Sequence, residues 1–461
     1  MDLVEKRSDL QVDISYRQIF KMALPISFAI LIPQFNFVVN NVFLGHFSSQ
    51  ALATAGITGV YYLIFSAIGY GMNNGLQSII SKRAGENKPD EIGQIFNQGI
   101  YISLFVSFIG ILVTWLILPT IFQWLIYDAD RSVQAIDFLK IRIWGLPFLY
   151  VYQMRNALLV SINQSKFLIA GTIVEALSNV VFDYLLIFGK FGFPQMGFNG
   201  AAVASVISEF LGMLVIYLVI RKEGLIERFS LFGSLVFNKK VVLEILNFSS
   251  PLIFQQAFSI AAWEYFFILL EHQGTTSLQV SNGMRNVFGI FGSVSWAFSA
   301  TANSMISNIL GQGLVHLFWK LIGKITWISI SVTLLLCVLL NAFPLYFLSI
   351  FGQSSDFYSI AVPTIRVVSV AMILMSISTI ILNSVIATGN AKIGLGAEVL
   401  SLIFYVFYIY WALEINSFPV WIAWMSEWIY WIFLLAPCLF FLLFGKWKDA
   451  FAKTESKILM S

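Results

Sequence analysis

VEALSNVVFDYLLIFG, residues 174–189, sets a carboxylate, Asp183, directly among valine, phenylalanine, tyrosine, leucine and isoleucine. Whether that acid is a fault or a device depends on the solvent around the stretch. In a bilayer, a charged side chain near the middle of a spanning helix costs from roughly 2.5 kcal/mol upward, so such residues turn to a cavity or a partner. The rest of the chain identifies the solvent.

Hydrophobic residues make up 58% of the 461-residue chain and charged residues 11%, against roughly 45–50% and about 25% in soluble domains. Apolar runs near the spanning length of about 20 residues recur throughout, so a polytopic all-α membrane protein is expected. The first 16 residues mix both charge signs without an apolar stretch, and no cleavable signal peptide is expected there. Cys337 and Cys438 lie inside apolar runs and form no disulfide framework.

Twelve candidate helices begin near residues 18, 52, 94, 134, 167, 198, 241, 278, 317, 358, 393 and 418. Of the 27 Lys and Arg residues, twenty fall on the side of the termini. Four (Arg131, Lys140, Arg142 and Lys190) fall in the opposite loops and helix ends, and Arg155, Arg285 and Arg366 fall within spans. The positive-inside rule therefore places both termini in the cytoplasm. The charged connection 221–240 after the sixth span divides the chain into an N-terminal lobe (1–220), a cytoplasmic linker (221–240), a C-terminal lobe (241–445) and a cytoplasmic tail (446–461).

The two halves are copies. Pro25 set against Pro251 gives an offset of 226, and the same offset pairs Phe28 with Phe254, Leu44 with Leu270, His46 with His272, Ser78 with Ser304, Ser81 with Ser307 and Gly85 with Gly311. It returns where SINQSKF aligns with ATGNAKI, Lys166 meeting Lys392; later, ISEF and MSEW place Glu209 and Glu427 in matching spans at an offset of 218. Six helices per copy make parallel repeats, which build two-lobed transporters with a central cavity that opens alternately to each side. A duplicated channel is the distant rival.

Residues 24–56, LPISFAILIPQFNFVVNNVFLGHFSSQALATAG, with GYGMNNGLQSIISKRAGENK at 69–88, carry Pro25, Leu44-Gly45, Leu52-Ala53, Gly56 and an Arg83-Ala84-Gly85-Glu86-Asn87 cap. In these parts, and in Asn179 and Asp183 followed by GFNGAAVAS, the chain resembles multidrug and toxin extrusion (MATE) transporters, with the fifth-span motif leaning to their DinF-like branch. The resemblance implies a secondary active antiporter of a bacterial inner membrane that exports lipophilic, often cationic, drugs or toxins in exchange for H+ or Na+. It also implies departures: the family's first-helix aspartate falls at Asn40, and the seventh-helix glutamate of a NorM-like branch falls at Ser259.

Glu175, Asn179 and Asp183 stand at i, i+4 and i+8, each about 40° round the helix from the last, so one polar stripe faces inward. Asp183 either exchanges a proton as the cavity hydrates and dries, or joins amide oxygens of Asn179 and Asn40 as a hard-oxygen site for Na+. A structural salt bridge from Asp183 to Arg155 is the alternative. Glu175 is expected either to share in coupling or to lie hydrated near the cytoplasmic end.

Gln34, Asn36, Asn40 and Asn41 line the first span, which Pro25 and Pro33 leave free to bend. In the C-terminal lobe Glu264 and Arg285 are expected to pair or to meet a cationic substrate, and Glu209 and Glu427 to act as scaffold. Tyr61, Tyr62, Trp263 and Trp296 offer faces for flat cations or simply pack. GYGMNNG at 69–75 reads as helix packing.

The chain contains no phosphate-binding G-x-x-x-x-G-K-[ST] loop, His46, His272 and His316 have no metal-like spacing, and no nucleophile and base pair stands out. Neither an enzyme nor a cofactor beyond the coupling ion is expected. The expected partners are small organic molecules and membrane lipids, not nucleic acid, and the chain is expected to act as a monomer. The rival within a related class is a flippase of lipid-linked saccharides, which would call for a more cationic cavity than Arg155, Arg285 and Arg366 supply.

Overall fold

The computed structural model describes residues 8–125, 128–233, 236–349, 355–449 and 451. The basic residues of the first seven and last ten positions, and the side chains of Leu52 and Ala53, lie outside the described residues. Among the described residues every regular element is helical, as hydrocarbon demands of a backbone that must satisfy its own hydrogen bonds.

The first half comprises α1 (Tyr16–Phe47), α2 (Ser49–Gly85), α3 (Pro89–Leu116), α4 (Leu118–Leu125), α5 (Ala129–Arg142), α6 (Leu146–Ser161), α7 (Leu168–Phe188), α8 (Phe198–Lys222) and the short α9 (Leu225–Phe229). The second comprises α10 (Lys239–His272), α11 (Thr275–Gly311), α12 (Phe318–Ala342), α13 (Pro344–Leu348), α14 (Ser355–Ala387), α15 (Ala391–Tyr410), α16 (Val420–Ala423) and α17 (Ser426–Phe444). The 226-residue offset read from the sequence recurs in these bounds. It carries α2 onto α11, both of 37 residues, and the start of α5 and end of α6 onto the two ends of α14.

Where α14 is continuous, its counterpart is broken by a 3-10 turn at Ile143–Gly145, after which α6 restarts with Pro147 in its first turn. Proline is tolerated there because first-turn amides have no helical acceptor to lose. Ten helices among the described residues are long and apolar enough to span a bilayer. The other two places in the plan of twelve are the interrupted α5–α6 and the long α11, whose C-terminal half is rich in serine and asparagine. Side chains such as Phe105, Leu116, Phe407 and Phe440 form an exposed apolar surface suited to acyl chains.

By contacts the chain forms two compact units. The first is Phe28–Ile80 with Lys88–Ser249; the second takes the residues up to Ser27, Ser81–Asn87 and those from Ser250 onward. Within the second unit the C-terminal ends of α2 and α11 meet backbone to backbone. A Cβ on Gly85 would stand 2.0 Å from the Asn308 carbonyl oxygen, and one on Gly311 2.2 Å from that of Lys82, so both copies of this repeat position need glycine. Two segments read as linker and tail prove to be packed. Phe229 is buried and Asn97 of α3 binds both the Ser230 carbonyl and the Phe232 amide; Trp447 is buried with its ring 4.3 Å from that of Phe318.

Candidate functional site

In the first unit α7 turns its polar stripe inward. Asn179 and Asp183 are buried, Asp183 with no exposed area, and Glu175 is partly so. The Asn36 and Asn40 amides of α1 both donate to Asn179 Oδ1, at 2.8 and 3.0 Å, and Asn179 Nδ2 reaches Ser205 Oγ of α8 at 3.5 Å. The asparagines therefore behave first as interhelical ties. They leave Asn36 Oδ1, Asn40 Oδ1 and both Asp183 oxygens buried with no hydrogen-bond partner among the described residues. Buried polar atoms in that state are costly, about 1–3 kcal/mol each and more when charged.

A cavity of about 180 Å³ lies beside this stripe, bounded by Pro33, Asn36, Phe37 and Asn40 of α1, Glu175 and Asn179 of α7, Ser205, Ser208 and Glu209 of α8, and Arg142 of α5. Asp183 is not on its wall; it sits one helical turn beyond Asn179. The Arg142 guanidinium holds Glu209 with two hydrogen bonds, of 2.9 and 2.5 Å, and lies 3.7 Å above the ring of Tyr62, whose hydroxyl donates to the same carboxylate at 3.1 Å. The 3-10 turn makes this arrangement possible. A Cβ on Gly145 would stand 2.0 Å from Glu209 Oε2 and 2.6 Å from Arg142 Nη1. Among the described residues the Glu175 carboxyl group has no hydrogen-bond or ion-pair partner, and it lies within electrostatic reach of both Glu209 and Arg142. With Glu209 paired to Arg142, Glu175 is the cavity wall's carboxyl group outside that pair.

Several sequence readings change here. Arg142, assigned to the opposite loops and helix ends, is an interior cation, because Glu209 and Tyr62 supply the partners that its charge needs. Arg155 does not pair with Asp183; it donates to the Met213 carbonyl at 2.5 Å and lies over the rings of Tyr217 and Phe232. Glu175 stands at the cavity among buried charges. Gln34 is not on the cavity wall. Tyr61 packs: its hydroxyl meets Thr114 Oγ1 at 2.8 Å and its ring lies against Phe65 and Phe122.

In the second unit Arg285 reaches Glu264 at 3.3 Å and lies 5.3 Å from the ring centre of Trp263 and 5.2 Å from that of Phe267, a half-exposed pair between α10 and α11. Glu427 takes a hydrogen bond of 3.0 Å from Trp431, its neighbour one turn on, so the two matched glutamates have unlike partners. A residue that the sequence reading passed over is Glu398 of α15. It is buried and accepts from Tyr430 Oη at 2.6 Å, from Gln255 Nε2 at 3.2 Å and, at close range, from Ser259 Oγ. Its signal was available: AEVLSLIFY is another lone acid in an apolar run. Among the described residues no cluster of three or more His, Cys, Asp or Glu could hold a metal ion.

The MatE family model matches residues 25–185 and again 251–411. The chain belongs to the MatE family. The two matches stand 226 residues apart, the offset read from the sequence, so each half carries one MatE repeat. A probable multidrug resistance protein NorM from Listeria innocua is 27% identical over 285 residues, 60% of this chain and 62% of that one. One from Thermotoga maritima is 23% identical over 381 residues, 81% and 80% of the two chains. The chain thus spans about 62% of the length of the Listeria relative it matches.

A MATE structure in complex with MaL6 superposes with a TM-score of 0.86 at 15% identity over 96% of this chain and 98% of the other. A MOP superfamily transporter from Pyrococcus furiosus, described as having a binding pocket of reversed polarity that suggests a different function, gives 0.85 at 14% identity over 98% and 100%. These structures share the MatE fold with this chain, an integral membrane protein.

Proposed function

We propose that this MatE protein is a secondary active antiporter that exports lipophilic organic cations in exchange for H+ or Na+. Asp183 is the coupling residue, Asn179 and Asn40 its neighbours, and Glu175 a second carboxyl group that shares in coupling at the first unit's cavity. The observation that carries the reading is a buried Asp183 with neither oxygen bonded. A cost of that kind is retained where a cation or proton is to be taken up and released. The NorM names of the relatives support the class of cargo. Alternating access of the two repeats and a cytoplasmic position for both termini belong to the same reading, the second from the distribution of Lys and Arg.

The donor set suits either ion: a single carboxylate exchanges a proton, and the free amide oxygens of Asn36 and Asn40 are hard ligands of the type Na+ takes. Right-side-out membrane vesicles loaded with ethidium test it. Movement of ethidium should follow an imposed proton or sodium gradient, applied one at a time, and should vanish in Asp183→Asn. Gradient-independent lipid scrambling with no ethidium movement would favour the flippase. Against that rival, the one cation among the described residues lining the cavity, Arg142, is already committed to Glu209.

A further inference from the structure

Glu398 poses a different problem from Asp183. Its side chain is 1% exposed, yet no Lys, Arg or His pairs with it among the described residues; its three partners are the neutral donors Ser259, Gln255 and Tyr430. The other titratable groups nearby are Tyr430, Cys438 and Glu427 of α17 and Tyr405 of α15, none of which supplies a positive charge. Glu427 is itself a buried acid whose one hydrogen bond comes from Trp431. A second unit that buries two carboxylates without a cation has a reason to let one of them be neutral part of the time.

The cluster is built to pass a proton. Ser259 Oγ and Tyr430 Oη both touch Glu398 Oε1 and lie 3.3 Å from each other, and both side chains are only part-buried. A hydroxyl donates and accepts at once, so each links the enclosed carboxyl to the boundary of the unit. A proton arriving on either oxygen protonates Glu398 while that hydroxyl keeps one hydrogen, and it departs by the reverse exchange. A sodium ion fits poorly. Glu398 is the one carboxylate in the hydrogen-bonded cluster, and the amide of Gln255 presents its nitrogen.

We propose that Glu398 is a proton-binding site in the second unit, with Ser259 and Tyr430 as its relay, separate from the Asp183 site of the first. The inference extends the antiport reading, but its test needs no transport. Purified protein in nanodiscs is titrated while infrared difference spectra follow the carbonyl stretch of protonated carboxyl groups, in sodium-free buffer and again with added NaCl. Glu398→Gln should remove one pH-dependent carboxyl band that Asp183→Asn leaves in place. Tyr430→Phe, which keeps the carboxyl and removes a donor, should move the pH at which that band appears.

A Glu398→Gln spectrum identical to wild type, or a band that answers to NaCl and not to pH, would overturn the proposal. In the ethidium assay, a wild type that moves no cargo refutes the antiport reading and leaves the infrared result standing.

Discussion

Asp183 and Glu398 are both acids set among apolar neighbours on long helices, one in each unit, and they are buried by opposite means. Among the described residues Asp183 is enclosed with no hydrogen bond to either oxygen, while the cavity one turn away commits the Arg142 guanidinium to Glu209. Glu398 is enclosed by three donors from two other helices and pairs with no cation among the described residues. At Glu398 each donor offsets part of the cost of burial. At Asp183 no side chain or backbone group among the described residues does so, and in the proposed antiport the exchanged ion would supply the missing partner. An unsatisfied buried acid therefore points to function more strongly than a satisfied one.

The contrast breaks first at Arg142. Arg142→Ala leaves Glu209 buried without its counter-charge, and removing one partner of such a pair costs about 3–5 kcal/mol. The low end is expected because the pair borders a cavity, with side chains 13% and 7% exposed. The midpoint of heat-induced loss of monodisperse protein in detergent should drop by more than for any other single change considered below. A midpoint equal to wild type would mean that the guanidinium is not the element that holds the first unit's charges in place.

Next comes Glu398→Leu, which strands the donors of Gln255, Ser259 and Tyr430. The expected loss is about 1–3 kcal/mol, read by the same thermal assay, with Glu398→Gln losing less because the amide still accepts. Equal midpoints for Leu and Gln would show that the three donors find other acceptors, and Glu398 would then resemble Asp183 after all.

Much of this was legible in the chain. The 226-residue repeat appears in aligned prolines, histidines and glycines, and helix boundaries and family matches repeat it. Asp183 was visible because its oddity is local: one carboxylate in a run of apolar neighbours. Glu398 has the same local signature but gains its meaning from Ser259 and Tyr430, 139 and 32 residues away, and separation of that kind leaves no mark in a window of sequence. Arg142 was misread for a related reason. A basic residue near the end of a span normally sits at the interface, and only its pairing with Glu209, 67 residues on, draws it inside. The break between α5 and α6 was signalled by Gly145 and Pro147, residues that act through backbone geometry and not through hydropathy, the property by which the spans were counted.

Gly145 sharpens the first half of the comparison. Gly145→Ala puts a methyl group against both members of the Arg142–Glu209 pair, and relief by movement of either side chain should cost about 1–3 kcal/mol, as overpacking commonly does. If the glycine serves the pair, Gly145→Ala combined with Glu209→Gln should lose less than the two separate losses together. Strict additivity would mean that the turn is needed for the path of the chain and not for the charges.

The smallest effect on stability, and the most informative, belongs to Asp183→Asn. The substitution is nearly isosteric and breaks no hydrogen bond, because the described structure offers Asp183 none to lose. It also removes the need to bury a charge, so the thermal midpoint should stay where it is or rise. Gradient-driven ethidium efflux should meanwhile fall to the leak rate of vesicles without the protein. That combination, stability kept and transport lost, is what separates a carboxylate held for its exchange chemistry from one held for the fold. Should Asp183→Asn instead lower the midpoint as far as Glu398→Leu does, the two acids would be structural equivalents, and the coupling role would have to move to Glu175, whose carboxyl group also has no hydrogen-bond or ion-pair partner among the described residues.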